Sequence, residues 1–107
     1  SGLRGRAKNY IYGSSKAAFI AYLSGLRNML NKSKVDVLTV ISGYICTKKS
    51  SKEESPKILV ISPKELAAKI YNAQQRKKDI IYSSYIWKLI MLFIRLLPES
   101  LFKKLKI

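Results

Sequence analysis

The chain has 107 residues, with 21 Lys and Arg against 6 Asp and Glu, a formal net charge of +15, one cysteine and no histidine. That length supports one small core, and a composition that is 48% hydrophobic and 25% charged argues for a globular chain over a disordered one. The lone Cys46 and the missing histidine exclude an internal disulfide, a Cys/His metal site and a Ser-His or Cys-His nucleophile, leaving tyrosine, lysine, serine and a few carboxylates as acid–base groups.

A charge of +15 invites a polyanion, but the cations are dispersed through nearly every segment. With no helix-turn-helix, zinc-finger spacing or stacking aromatics, no specific nucleic-acid partner is expected.

Residues 1–9 are glycine-rich and basic, lack an apolar period and read as a loop. From Ile11 to Leu30, Phe19, Tyr22, Leu23, Leu26, Met29 and Leu30 recur at helical spacing, and the cluster Asn31-Lys32-Ser33-Lys34 ends the run. Within this helix Tyr12 and Lys16 stand four apart, on one face, with Cβ atoms about 6 Å apart. A free phenol titrates near pH 10 and is a poor acid or base at neutral pH unless its anion is stabilised. A phenolate and an ammonium about 6 Å apart attract by about 2.8 kcal/mol at an effective dielectric near 20, but only about 0.7 kcal/mol in bulk water. The pair is therefore chemically useful only in a cleft; on a solvated helix the same spacing is commonly chance.

Val35 to Ile41 is short, β-branched and mostly apolar, as a strand covered on both faces of a parallel sheet should be. Helix followed by buried strand predicts an α/β fold. Ser42-Gly43-Tyr44-Ile45-Cys46-Thr47 follows the strand's C-terminal end, where open α/β sheets bind ligands. With no histidine to activate it, Cys46 reads as a loop residue.

Lys48 to Pro56 is polar and charged and reads as a mobile segment. Ser62-Pro63-Lys64-Glu65 has capping-box spacing with proline at the first helical position, predicting a helix to about Arg76 with Leu66, Ala67, Ile70 and Ala73 inward. Asp79 to Tyr82 reads as a short strand. Tyr85 to Leu97 is an apolar helix broken only by Lys88 and Arg95 and stopped by Pro98. At about 20 Å it is too short to cross a hydrocarbon core of about 30 Å. With Lys103, Lys104 and Lys106 beyond it, this tail suits an in-plane membrane helix, and equally a helix packed on protein.

Gly2-Leu3-Arg4-Gly5, Asn9 through Ala18 around Tyr12-Gly13-Ser14-Ser15-Lys16, and Val37 through Thr47 come in the order and at the spacing of short-chain dehydrogenases/reductases, which the whole chain resembles. It resembles the C-terminal part of such an enzyme, nearest to members that reduce a keto-sugar carried on a polyprenyl phosphate. The resemblance implies that residues 1–83 are the C-terminal part of a Rossmann-like, doubly wound parallel sheet binding NAD or NADP, with residues 84–107 an apolar, basic helical tail. It implies Tyr12 as the general acid/base, Lys16 assisting it and holding the cofactor ribose, and Gly43, Ile45 and Thr47 at the nicotinamide. It further implies a small-molecule or lipid-linked carbonyl substrate, a homo-oligomer formed through the 11–30 helix, and a cytoplasmic protein, peripheral to the inner face of the membrane if the tail binds lipid. Ser42 stands where the family usually has proline, and the family's catalytic serine falls about two residues before Ser1.

The glycine-rich dinucleotide loop and the first strands of such a fold are not in these residues. With Ser in place of an initiating Met, this leads to the expectation of a piece of a longer protein, inactive alone. Two rival readings stay open: a peripheral membrane-binding module acting through the tail, and a gene remnant without function.

Overall fold

The computed structural model describes residues 2–45 and 60–106. Helix α1 spans Tyr10–Leu30 and runs into a 3₁₀ turn at Asn31–Ser33. Strands β1 (Thr39–Ile41) and β2 (Tyr44–Ile45) precede β3 (Val60–Ile61), helix α2 (Pro63–Gln75) and β4 (Ile80–Tyr82). Helices α3 (Tyr85–Leu96) and α4 (Glu99–Phe102) complete the order. By internal contacts the chain forms two compact units, Ser1–Val35 with Ile90–Ile107, and Asp36–Leu89.

In the Asp36–Leu89 unit the strands pair in parallel, β1 with β4 (Thr39 opposite Ile80, Ile41 opposite Tyr82) and β2 with β3 (Tyr44 opposite Val60). Parallel neighbours need a crossover, and α2 supplies the helical part of the connection between β1 and β4. The architecture is mixed α/β, as expected. Strand β1 is shorter than the predicted 35–41. The Val35 N–H is taken by the Leu30 carbonyl in closing the preceding helix, and pairing begins only where the Thr39 N–H donates to the Asp79 carbonyl at 2.8 Å.

Helix α2 starts as its sequence requires. Ser62 Oγ accepts from the Glu65 N–H at 3.2 Å and Pro63 is the first helical residue. Leu66 and Ala73 are buried and Ile70 is half-buried, but Ala67 is exposed, a correction to the predicted inward face. The buried stripe is the narrow i, i+4, i+7 line, and residue 67 lies about 100° off it.

Two helical segments, α1 with its 3₁₀ turn and α2, close in the same way on a left-handed lysine. Lys34 (φ 57°) and Lys77 (φ 53°) are left-handed. In each, the N–H of the next residue reaches back five positions, Val35 to the Leu30 carbonyl and Lys78 to the Ala73 carbonyl, while the lysine's own N–H closes the inner ring on Asn31 or Gln74. These are Schellman motifs, whose left-handed position glycine usually fills.

In the unit Ser1–Val35 with Ile90–Ile107, α1 half-buries Leu23, Leu26 and Leu30 while Phe19, Tyr22 and Met29 are exposed. The predicted apolar stripe therefore splits, and the Phe19 and Tyr22 rings stack on each other on the open side, with centroids 6.5 Å apart. Pro98 ends α3, as predicted, and leaves the Ile94 carbonyl without its i+4 donor because proline has no N–H. Arg4 replaces that donor. Its Nη1 donates to the carbonyls of Ile94 at 2.7 Å and Leu97 at 2.6 Å, and its guanidinium lies 4.1 Å from the ring centroid of the buried Phe102. Among the described residues no helix is long and apolar enough to cross a membrane.

Candidate active site

The Asn9 carbonyl accepts from the Gly13 N–H at 2.7 Å, starting α1 so that Tyr12 and Lys16 stand on its first and second turns, on one face. The Lys16 ammonium lies 5.4 Å from the centroid of the Tyr12 ring. The predicted pairing is therefore formed. The side chains between them do not compete for it: Ser14 Oγ donates to the Tyr10 carbonyl at 2.6 Å and Ser15 Oγ to the Tyr12 carbonyl at 2.7 Å, so both hydroxyls are bonded to the helix itself.

Tyr12 is 56% exposed and Lys16 is also exposed. Beyond its approach to the ring, Lys16 has no hydrogen bond or ion pair with any described residue, so the ammonium is available to a ligand hydroxyl. Gly2 fixes the stem of this lysine. A Cβ on residue 2 would fall 2.9 Å from both the Lys16 carbonyl carbon and the Lys16 Cβ, so the N-terminal loop lies directly on the helix at the catalytic candidate. Only glycine permits that approach.

Gly43 and Ile45 belong to the Asp36–Leu89 unit, just past the C-terminal end of β1, whereas Tyr12 and Lys16 belong to the other unit. Thr47 and Cys46 lie outside the described residues, as does the Lys48 to Pro56 segment. The Gly43 turn is held from three sides. Its N–H donates to Ser83 Oγ at 3.0 Å, the Ser83 N–H donates to the Ile41 carbonyl at 3.0 Å, and the Lys69 ammonium donates to the Ser83 carbonyl at 2.7 Å. Ser83 is 1% exposed, so its own polar atoms are shielded from water and depend on these part-buried bonds. On the other side stands Trp87: a Cβ on residue 43 would lie 2.9 Å from two atoms of its indole ring.

Sequence reading assigned Gly43 to a cofactor and missed that the missing side chain makes room for Trp87. It also missed Ser83 and Lys69, which hold the Gly43 turn, and, in the other unit, Gly2, which packs on Lys16. The available signal was Ser83-Ser84 before the apolar helix: Ser84 Oγ caps α3 by accepting from the Trp87 N–H at 3.0 Å, which leaves Ser83 to face inward.

No protein-family model matches the chain, and no solved structure does. Curated relatives match nearly its whole length. It is 27% identical over 105 residues to the "Uncharacterized oxidoreductase Rv2073c" of Mycobacterium tuberculosis, covering 98% of this chain and 42% of the relative. It is 30% identical over 105 residues to the "Uncharacterized oxidoreductase in mprA 5′region" of Streptomyces coelicolor, covering 98% of this chain and 41% of the relative. The chain thus spans about two-fifths of the length of the curated relatives it matches.

Proposed function

We propose that the protein carrying this chain is an NAD(P)-dependent oxidoreductase of the short-chain dehydrogenase/reductase type, acting between a carbonyl and an alcohol. The observation that carries the reading is the Tyr12–Lys16 pair on the first two turns of α1, with the ammonium 5.4 Å from the ring centroid. It is supported by the similarity of nearly the whole chain to proteins named oxidoreductases. Residues 1–83 are assigned to the C-terminal part of a Rossmann-like sheet and residues 84–107 to a helical tail. The parallel β1–β4 pair, with a helix in its connection, supports that assignment.

In this reading the bound nicotinamide supplies or accepts the hydride. Tyr12 protonates the carbonyl oxygen during reduction and removes the hydroxyl proton in the reverse direction. Lys16 stabilises the Tyr12 phenolate and donates to a ribose hydroxyl, a role that its lack of other polar partners suits. Gly43, Ile45 and Thr47 are the residues assigned to hold the nicotinamide. Closure of the face bearing Tyr12 falls to parts of the protein beyond these residues, because an attraction of about 0.7 kcal/mol in bulk water would not make a phenol a useful acid.

The exposed Phe19, Tyr22 and Met29 on α1 support a second copy of the chain as partner through this helix. The substrate is assigned to small or lipid-linked carbonyl compounds and the protein to the cytoplasmic side. The test is consumption of NADH and NADPH at 340 nm by the intact protein against a panel of aldehydes, ketones and keto-sugars. Turnover with at least one supports the reading, and no binding of either nucleotide would remove it.

A further inference from the structure

A concavity lies wholly within the Asp36–Leu89 unit, with a volume of about 270 Å³. Lys69 lines it from α2, Arg76 from the residue that caps α2, Lys78 from the turn that follows, Tyr82 from β4, and Tyr85 and Lys88 from the start of α3. Four cations meet around one hollow, and among the described residues no carboxylate lines it. Tyr12, Lys16, Gly43 and Ile45 take no part in it.

The fold itself gathers these charges. Lys69 and Arg76 are seven residues apart, two helical turns, so their side chains project along the same edge of α2. The left-handed residue Lys77 then reverses the chain, and the Lys78 N–H closing on the Ala73 carbonyl brings Lys78 back beside the end of the helix it has just left. One ammonium is already anchored: Lys69 donates to the Ser83 carbonyl at 2.7 Å, leaving it two further donors. The side chains of Arg76, Lys78 and Lys88 make no hydrogen bond or ion pair with any described residue. Like charges gathered around a hollow repel, and an anion placed among them turns each repulsion into an attraction.

We propose that this concavity binds a phosphate-bearing anion with at least two negative charges. Phosphate suits the donor set better than a single carboxylate does, because one guanidinium, three ammonium groups and two phenols offer more donors than two oxygens can accept. The volume is below the 300 Å³ or more typical of pockets for drug-sized ligands, which favours a diphosphate, a small phosphate ester or a phosphate headgroup over a whole dinucleotide. None of Tyr12, Lys16, Gly43 and Ile45 lines the hollow, so the proposal stands whether or not the hydride chemistry does.

The test titrates inorganic pyrophosphate into the intact protein at low salt, read by calorimetry and by thermal shift, with phosphatidic-acid vesicles in phosphatidylcholine as a second arm. Arg76→Glu/Lys88→Glu is compared with Lys32→Glu/Lys64→Glu, which changes the net charge equally outside the hollow. The milder Arg76→Gln/Lys88→Gln serves if charge reversal at the end of α2 disturbs folding. Binding weakened at least about tenfold in the hollow variants and little changed in the control supports the site. A response to pyrophosphate assigns a soluble phosphate, and a response to the vesicles alone assigns a lipid headgroup. Equal loss in both pairs of variants, or no binding in either arm, would overturn it.

Discussion

The indole ring of Trp87 occupies the space that a side chain on residue 43 would fill, two of its atoms lying 2.9 Å from the position of that missing Cβ. The turn after β1 is thus shaped from the far end of the same unit, by a residue on α3. Gly43→Ala should push the ring out of place and cost about 1 to 3 kcal/mol, the usual range for overpacking. In a Trp87→Ala background the same change should be nearly neutral. Urea unfolding of the four proteins of this cycle measures the coupling, and strictly additive effects would remove the contact from the account.

Ser83 is the second determinant of that turn. Replacing it with alanine leaves the part-buried Gly43 N–H without its hydroxyl acceptor, and should cost about 1 kcal/mol. Ser84→Ala, which removes only the cap of α3, should cost about 1 kcal/mol. The melting curves of the two variants measure these costs.

Arg4 ties the tail to the N-terminal loop by replacing the N–H that Pro98 lacks. Its side chain is 15% exposed, whereas its ionic partner Glu99 is 79% exposed, so the carbonyl bonds and the Phe102 ring matter more than the ion pair, which solvent screens. Arg4→Ala should cost about 2 kcal/mol and speed hydrogen exchange of the amides in α4, and Glu99→Gln should cost less than about 1 kcal/mol. Arg4→Lys should not rescue, since an ammonium lacks the planar fork that reaches two carbonyls while lying on a ring.

Lys34 and Lys77 hold left-handed backbone that costs an L-residue about 1 to 2 kcal/mol and glycine almost nothing. Lys34→Gly and Lys77→Gly should each raise stability, by about 0.5 to 1 kcal/mol once the entropy of the more flexible unfolded chain is set against the relief. Chemical denaturation of each variant reads this directly, and a loss of stability at either site would contradict the strain.

Much of this arrangement was legible in the chain. Ser62 with Glu65 marked the start of α2, Pro98 marked the end of α3, and the four-residue spacing of Tyr12 and Lys16 placed them together. These are local signals, in which donor and acceptor are a turn apart. Arg4 was not legible as a helix cap, because its partners are some 90 residues away and a lone arginine in a glycine-rich loop carries no period. Gly43 resembled a cofactor residue for a reason of order and spacing, while Trp87, which decides what its missing side chain makes room for, lies on another element. The late start of β1 was hidden for the opposite reason: Val35 looks like a strand residue, yet its N–H is used to close a helix.

The central claim is that Tyr12 is the proton donor, and one substitution addresses it. Tyr12→Phe keeps the ring and its contact with Lys16 but removes the hydroxyl, so in the intact protein, assayed with a carbonyl compound that supports nucleotide oxidation, kcat should fall at least about a hundredfold. The Kd for the nucleotide should stay nearly unchanged, since Lys16 and not Tyr12 is assigned to the ribose. Turnover near the wild-type rate in Tyr12→Phe would contradict the assignment.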